Sequence, residues 1–209
     1  MRCASRLALA AIVLLASGPA VCQTSFGAAS GSLEFNGARL GMSLSEWKLM
    51  PRAEGSPADV TATCSDEAVP DSASRVKFST SAPAPPLVVC SYAARLGRYM
   101  LSEDLPLTKT YFARNPKYYF LSGRLAKIEF RSSINAFGDL VAVFEAKFGQ
   151  ESQTIRDQIR TPFGLKLPRV QKIWRLPDGL VRIVDPSASL DQLVVDFTGP
   201  VSSRPTPAG

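Results

Sequence analysis

The 209-residue sequence contains no histidine. Ser-His and Cys-His catalysis, His-ligated zinc and imidazole proton transfer are therefore closed to it. Cysteine is scarce: four occur, and no two have C-x-x-C spacing, so a redox pair of that type is excluded. G-x-S-x-G, Walker A and G-x-G-x-x-G are all missing. Carboxylates are scattered and no motif pairs them. Acid/base chemistry of the glycosidase kind is left without a signal, and so is a Ser–Lys dyad. No metal ligand set or cofactor is expected.

Long apolar runs are also lacking, apart from one near the start. Arg2 and Arg6 precede Leu7 to Ala16, an unbroken apolar stretch of ten residues, and Ser17-Gly18-Pro19 follows. A membrane-spanning helix needs roughly 20 apolar residues, whereas a positive, apolar and small-residue order is that of a secretory signal peptide. Residues 1–22 are accordingly expected to be a cleavable signal, cut before Val21 or before Gln23. Cys3 leaves with it in either case. Cutting before Gln23 leaves Cys64 and Cys90 as an even pair, while cutting before Val21 adds Cys22 as an odd thiol. Around Cys22, Pro19 and Val21 replace the Leu and small residue of a lipoprotein signal, so a lipid anchor is not expected. The location read from this is periplasmic or secreted.

Export frames the two remaining cysteines. Cys64 and Cys90 are 26 residues apart and flank a stretch rich in Ser, Ala and Pro, a spacing that suits a structural disulfide in an oxidising compartment. Without residues 1–22, about 187 residues remain, enough for one domain with a proper core. They carry 22 basic and 18 acidic residues, a net of +4. The excess is uneven, with eight basic against three acidic residues from Arg95 to Arg131. Such a surface is either an ordinary solvated face or one that attracts an anionic envelope component or an envelope protein through a screened field. No basic run carries a nucleic-acid motif, and nucleic acid is not an expected partner.

Along the chain, residues 23–31 read as a flexible lead-in and 32–198 as the domain. Asn36-Gly37 marks a turn after a short strand. Ser43 and Glu46 have capping-box spacing ahead of a short helix stopped by Pro51. Residues 51–85 read as a long loop, Leu87 to Tyr92 as a strand, and 93–116 carry no clear pattern. From Lys117, KYYFL and RLAKIEF form a hairpin about Ser122-Gly123. With regular pairing, Tyr119, Leu121, Ala126, Ile128 and Phe130 face the core, and Tyr118, Phe120, Leu125 and Lys127 face away. Ser133 caps a helix whose Phe137, Leu140, Val141, Phe144 and Phe148 form an apolar stripe, ended by Gly149. After a polar connection at 151–168 come three strands, VQKIWRL, LVRIV and LDQLVVDF, the first two joined by Pro177-Asp178-Gly179. Residues 199–209 read as a disordered tail.

The fold class expected from these elements is α+β: a single domain with an antiparallel β-sheet and two α-helices packed on one face. On that register Tyr118, Phe120 and Lys127 share an exposed sheet face. A three-residue loop at 177–179 sets Trp174 beside Arg182 for a cation–π contact. These five residues form the candidate binding surface; the alternative is that the aromatics pack under the 51–85 loop, or that the register differs by one residue and turns them inward. Leu40-Gly41-Met42-Ser43-Leu44-Ser45-Glu46, Phe120 to Ile128 and Phe144-Glu145-Ala146-Lys147-Phe148-Gly149-Gln150 together carry a resemblance. The chain resembles small uncharacterised proteobacterial periplasmic proteins of β-lactamase-inhibitor-protein-like build. The resemblance covers roughly residues 35–50 and 117–197 and implies a helix-plus-antiparallel-sheet fold. The matching residues are turn glycines, core apolar positions and helix ends, so no functional residue carries over. The function expected is a non-enzymatic binding or envelope-assembly module; the alternative is a periplasmic hydrolase using carboxylate or Ser–Lys chemistry.

Overall fold

A computed structural model describes residues 33–51, 60–66, 87–96, 99–161, 163–188 and 190–200. The expected signal, the lead-in, most of the 51–85 loop and residues 201–209 lie outside the described residues.

The sequence turns polar-to-apolar with period two in many short stretches, and these form strands. Glu34–Phe35 (β1) and Ala38–Arg39 (β2) make a small hairpin, closed by Asn36 (φ 50°) and Gly37 (φ 84°). This is the Asn-Gly turn that matches strand twist. The backbone then bonds to the loop of a larger hairpin: Gly41 N–H donates to the Leu125 carbonyl (2.7 Å) and Leu44 N–H to the Gly123 carbonyl (3.0 Å). Ser43 and Glu46 form the expected capping box, with Ser43 N–H donating to the Glu46 carboxylate at 2.7 Å. They start the one-turn helix α1 (Leu44–Lys48), which delivers Trp47 into the core.

Ten strands make the main sheet: β3 (Val60–Cys64), β4 (Leu87–Leu96), β5 (Tyr99–Ser102), β6 (Leu105–Pro106), β7 (Phe112–Leu121), β8 (Arg124–Ser133), β9 (Gln153–Arg160), β10 (Lys166–Leu176), β11 (Gly179–Asp185) and β12 (Gln192–Thr198). The order across it is β3-β4-β7-β8-β12-β11-β10-β9, with β5 beside β4 and β6 beside β7. Every pairing is antiparallel. A 3-10 turn (Ile134–Ala136), capped by Ser133, leads from β8 into α2 (Phe137–Phe148), and Gly149 ends that helix with φ 78°.

The α+β class with two α-helices packed on one face is therefore corrected. Strands hold 57% of the described residues and helices 15%, and the two helices are short beside one ten-stranded sheet. The fold is mostly antiparallel β. The missing strands lay where sequence patterning is silent. The expected 51–85 loop holds β3, residues 93–116 hold the end of β4, all of β5 and β6 and the start of β7, and the polar connection 151–168 holds β9 and the start of β10. β9 reads QTIRDQIR and buries neither face fully, so it lacks the alternation that betrays a half-buried strand.

The core lies on one side of the sheet. Trp47 stacks on Tyr92 (ring centroids 4.6 Å) and meets Tyr118 and Phe120. Phe35 stacks on Phe130 at 4.7 Å. Phe144 of α2 meets Trp174 and Phe197 edge to face, at 5.6 and 5.9 Å. Such pairs add about 0.5–1.5 kcal/mol each beyond the area they bury. Leu140, Val141 and Phe144 of the apolar stripe are buried, with Phe137 and Phe148 partly covered. Cys64 and Cys90 sit directly opposite each other on β3 and β4 and form a buried disulfide.

Candidate functional site

Three of the five candidate surface residues, Tyr118, Phe120 and Trp174, are wholly buried. The cause is a register shift. Tyr119 pairs with Lys127 but Phe120 pairs with Leu125, so Ala126 opposes no residue and forms a β-bulge. The bulge turns Leu125 to the same side as Ile128 and Phe130, and β7 follows: Tyr118 and Phe120 face the core while Tyr119 faces away. The Pro177-Asp178 turn has two residues, since Leu176 pairs with Gly179. Trp174 is thus opposite Val181, Arg182 is opposite Ile173, and the expected Trp174–Arg182 neighbourhood is absent. Instead the Trp174 indole N–H donates to the Gly149 carbonyl at 2.9 Å, tying β10 to the end of α2.

Lys127 and Arg182 do lie on the non-core face, each with a partner. Lys127 bonds Glu129 at 2.6 Å and sits 5.4 Å from the Tyr119 ring centroid. Burial, with Glu129 and Asp196 adding to it and Arg131 opposing, pushes the Tyr119 hydroxyl up to about 12. Arg182 grips Asp196, directly opposite on β12, at 2.9 and 3.0 Å. The Asp196 side chain is only 4% exposed, so removing Arg182 would strand a buried carboxylate. These contacts are structural.

A second exposed surface lies on β9 and β10. These strands pair over eight positions, from Gln153:Ile173 to Arg160:Lys166. The neighbouring strand β11 pairs with β10 only from Val170 onward. Among the described residues, the pairs Asp157:Arg169, Gln158:Pro168, Ile159:Leu167 and Arg160:Lys166 therefore have no third strand beside them. They form a two-stranded arm about 13 Å long at the edge of the sheet.

The loop at its end is held in shape by Thr161. Thr161 N–H donates to the Leu165 carbonyl (2.8 Å), Gly164 N–H to the Thr161 carbonyl (2.9 Å), and Leu165 N–H to the Thr161 hydroxyl (3.1 Å). Gly164 takes φ 83°, a conformation that suits glycine. Thr161 is buried by this turn, and the apolar side chains on either side of Gly164 are thrown outward: Phe163 is 92% and Leu165 64% exposed.

The two faces of the arm differ. On one, the Arg169 guanidinium makes a bidentate bond to Asp157, with Nε–Oδ1 at 2.7 Å, and Gln171 adds a third bond. The Arg169 bond, with help from Gln171, holds the Asp157 carboxyl below its usual range. The other face carries Arg156, Arg160 and Lys166, all exposed, together with Gln158 and Pro168. Arg160 and Lys166 are directly opposite, a like-charge pairing that destabilises a sheet. No described acidic residue pairs with these three cations. At the base of this face, Lys172 reaches Glu145 of α2 at 3.1 Å and Glu151 at 3.0 Å, closing that ionic group.

Sequence reading missed this arm, although Pro162-Phe163-Gly164-Leu165 carries its signal: turn-forming Pro and Gly interleaved with apolar residues, where turns are ordinarily polar. Among the described residues no group of three or more His, Cys, Asp or Glu side chains is placed to hold a metal ion. No helix of the described residues is long and apolar enough to cross a membrane. No protein-family model, curated protein or solved structure matches this chain.

Proposed function

We propose that this protein is an exported, non-enzymatic binding module of the cell envelope, periplasmic or secreted, that makes contact through the β9–β10 arm. The observation that carries this reading is the tip. Thr161 spends both its backbone and its hydroxyl on holding a loop whose outcome is to expose Phe163 and Leu165. Exposing apolar side chains on a braced loop gives the fold nothing and gives a binding surface its anchors. The signal-like order of residues 1–22 supports export. The Cys64–Cys90 bond supports an oxidising compartment.

A photo-crosslinking residue placed at position 163 in intact cells tests the reading. An adduct is expected from 163 and not from 49. Leu49 is 85% exposed but belongs to the α1 region, which packs on β4 and β7, roughly 20 Å across the sheet from β10. Adducts from neither position, or equally from both, would refute the arm as the contact.

A further inference from the structure

We infer that the arm docks on a bilayer surface containing anionic phospholipid, with Phe163 and Leu165 entering the interface and Arg160, Lys166 and Arg156 answering the headgroup charge. This rests on the arm being the contact and specifies what it contacts.

The levels match. Phe163 and Leu165 are at the end of the loop, and Arg160 and Lys166 form the first ladder pair behind it. The headgroup layer is roughly 5–8 Å deep on each side of the hydrocarbon. One or two residues of strand, at about 3.3 Å each, span that depth. Apolar tips at the acyl boundary therefore leave both cations among the phosphates. Arg156 stands four residues down β9, about 13 Å behind Arg160, beyond one Debye length of about 8 Å at physiological salt.

The charges favour an anionic surface over other occupants. Arg160 and Lys166 oppose each other across the ladder, and no described carboxylate compensates them. Asp157, the acid on the arm, faces the other way and is held by Arg169. An array of anions in front of the tip relieves the repulsion that the pairing otherwise imposes. The apolar surface is confined to two side chains at a narrow tip. A specific protein interface takes about 800 Å² from each partner, whereas a fluid bilayer accepts a small apolar tip and gathers anionic lipids around cations.

The test uses Phe163→Trp in the full exported protein. Trp47 and Trp174 are buried, so a change in emission on adding vesicles reports the tip. A blue shift is expected with phosphatidylglycerol–phosphatidylcholine vesicles and not with phosphatidylcholine alone, and it should weaken as salt is raised. Adding Leu165→Ser should reduce partitioning roughly tenfold or more. Arg160→Gln or Lys166→Gln should each reduce it about fivefold, and Arg156→Gln less. Circular dichroism and melting temperature, unchanged across the set, exclude misfolding as the cause. No shift on any vesicle, or equal shifts with and without anionic lipid, overturns the lipid assignment. If vesicles fail while position 163 crosslinks to one protein in cells, the arm stands as a contact and its partner is that protein. If both fail, both readings fall.

Discussion

Leu125 and Ile128 stand three residues apart on β8, and both are wholly buried on the same side of the sheet. In a regular strand, residues separated by an odd number point to opposite faces. Ala126, the unpaired residue of the bulge, supplies the extra step. It also has a partner of its own, since its carbonyl accepts from Gly199 N–H at 2.9 Å. That bond holds Gly199, assigned to the tail by sequence, against the sheet.

The bulge sets an expectation for the adjacent strand. Phe120→Ala should destabilise the protein by about 3–5 kcal/mol, as removal of a buried aromatic side chain. Leu121→Ala, at a position 41% exposed, should cost less than about 1 kcal/mol. Denaturant unfolding of the two variants checks this. Reversed costs would place the opposite face of β7 in the core.

Gly179 gives a sharper backbone test. Its φ is 146°, and a Cβ there would lie 2.2 Å from the Thr198 carbonyl oxygen. Gly179→Ala should therefore cost at least about 2 kcal/mol, through strain and displacement of β12. Gly164→Ala meets nothing within 4 Å and has only its φ of 83° against it, so about 1–2 kcal/mol is expected. Thermal unfolding ranks the two variants.

The protein purified without reductant should have an intact mass about 2 Da below the fully reduced value for the Cys64–Cys90 bond, because one disulfide removes two hydrogens. Cys64→Ala with Cys90→Ala should lower stability by about 3–4 kcal/mol, the chain-entropy figure for a loop of this length. Mass spectrometry and denaturant titration measure these independently. Free thiols at both Cys64 and Cys90 in that protein would refute the bond.

Acid stability follows from Glu151. Hydrogen bonding to Lys172, and to a lesser extent to its own backbone and Thr154, lowers its pKa from 4.5 to about 2. A carboxyl depressed in the folded state stabilises the fold above its unfolded value and loses that contribution as pH falls to its folded value. Melting temperature should accordingly drop between about pH 4.5 and 2, and Glu151→Gln should flatten part of that drop. An identical pH profile for the variant would disconnect Glu151 from Lys172.

What was legible in the sequence followed from strong local signals. The Asn36-Gly37 turn, the Ser43–Glu46 capping box, the α2 stripe ended by Gly149 and the strand at 170–176 each depend on neighbours a few residues apart. Face assignment on β7 depended on Ala126, whose small side chain gives no sign that a bulge sits there. The predominance of strand was hidden because β9 buries neither face fully and β6, at Leu105–Pro106, is too short to show a period. The arm escaped for a related reason: whether a hairpin has a third strand beside it is a property of sheet order, set here by β11 ending at Asp185 opposite Val170. Tyr118, Phe120 and Trp174 were right as large aromatic residues on strands and wrong as surface.

The proposed contact of the arm tip with the envelope rests on Phe163 and Leu165. Envelope fractionation of cells expressing the Phe163→Ser, Leu165→Ser double variant tests it most directly, with Leu49→Ser as an equally exposed control. The tip variant is expected to leave the envelope-associated fraction at unchanged melting temperature, while Leu49→Ser remains with it. A tip variant that stays associated as well as the wild type would rule out the tip as the point of contact.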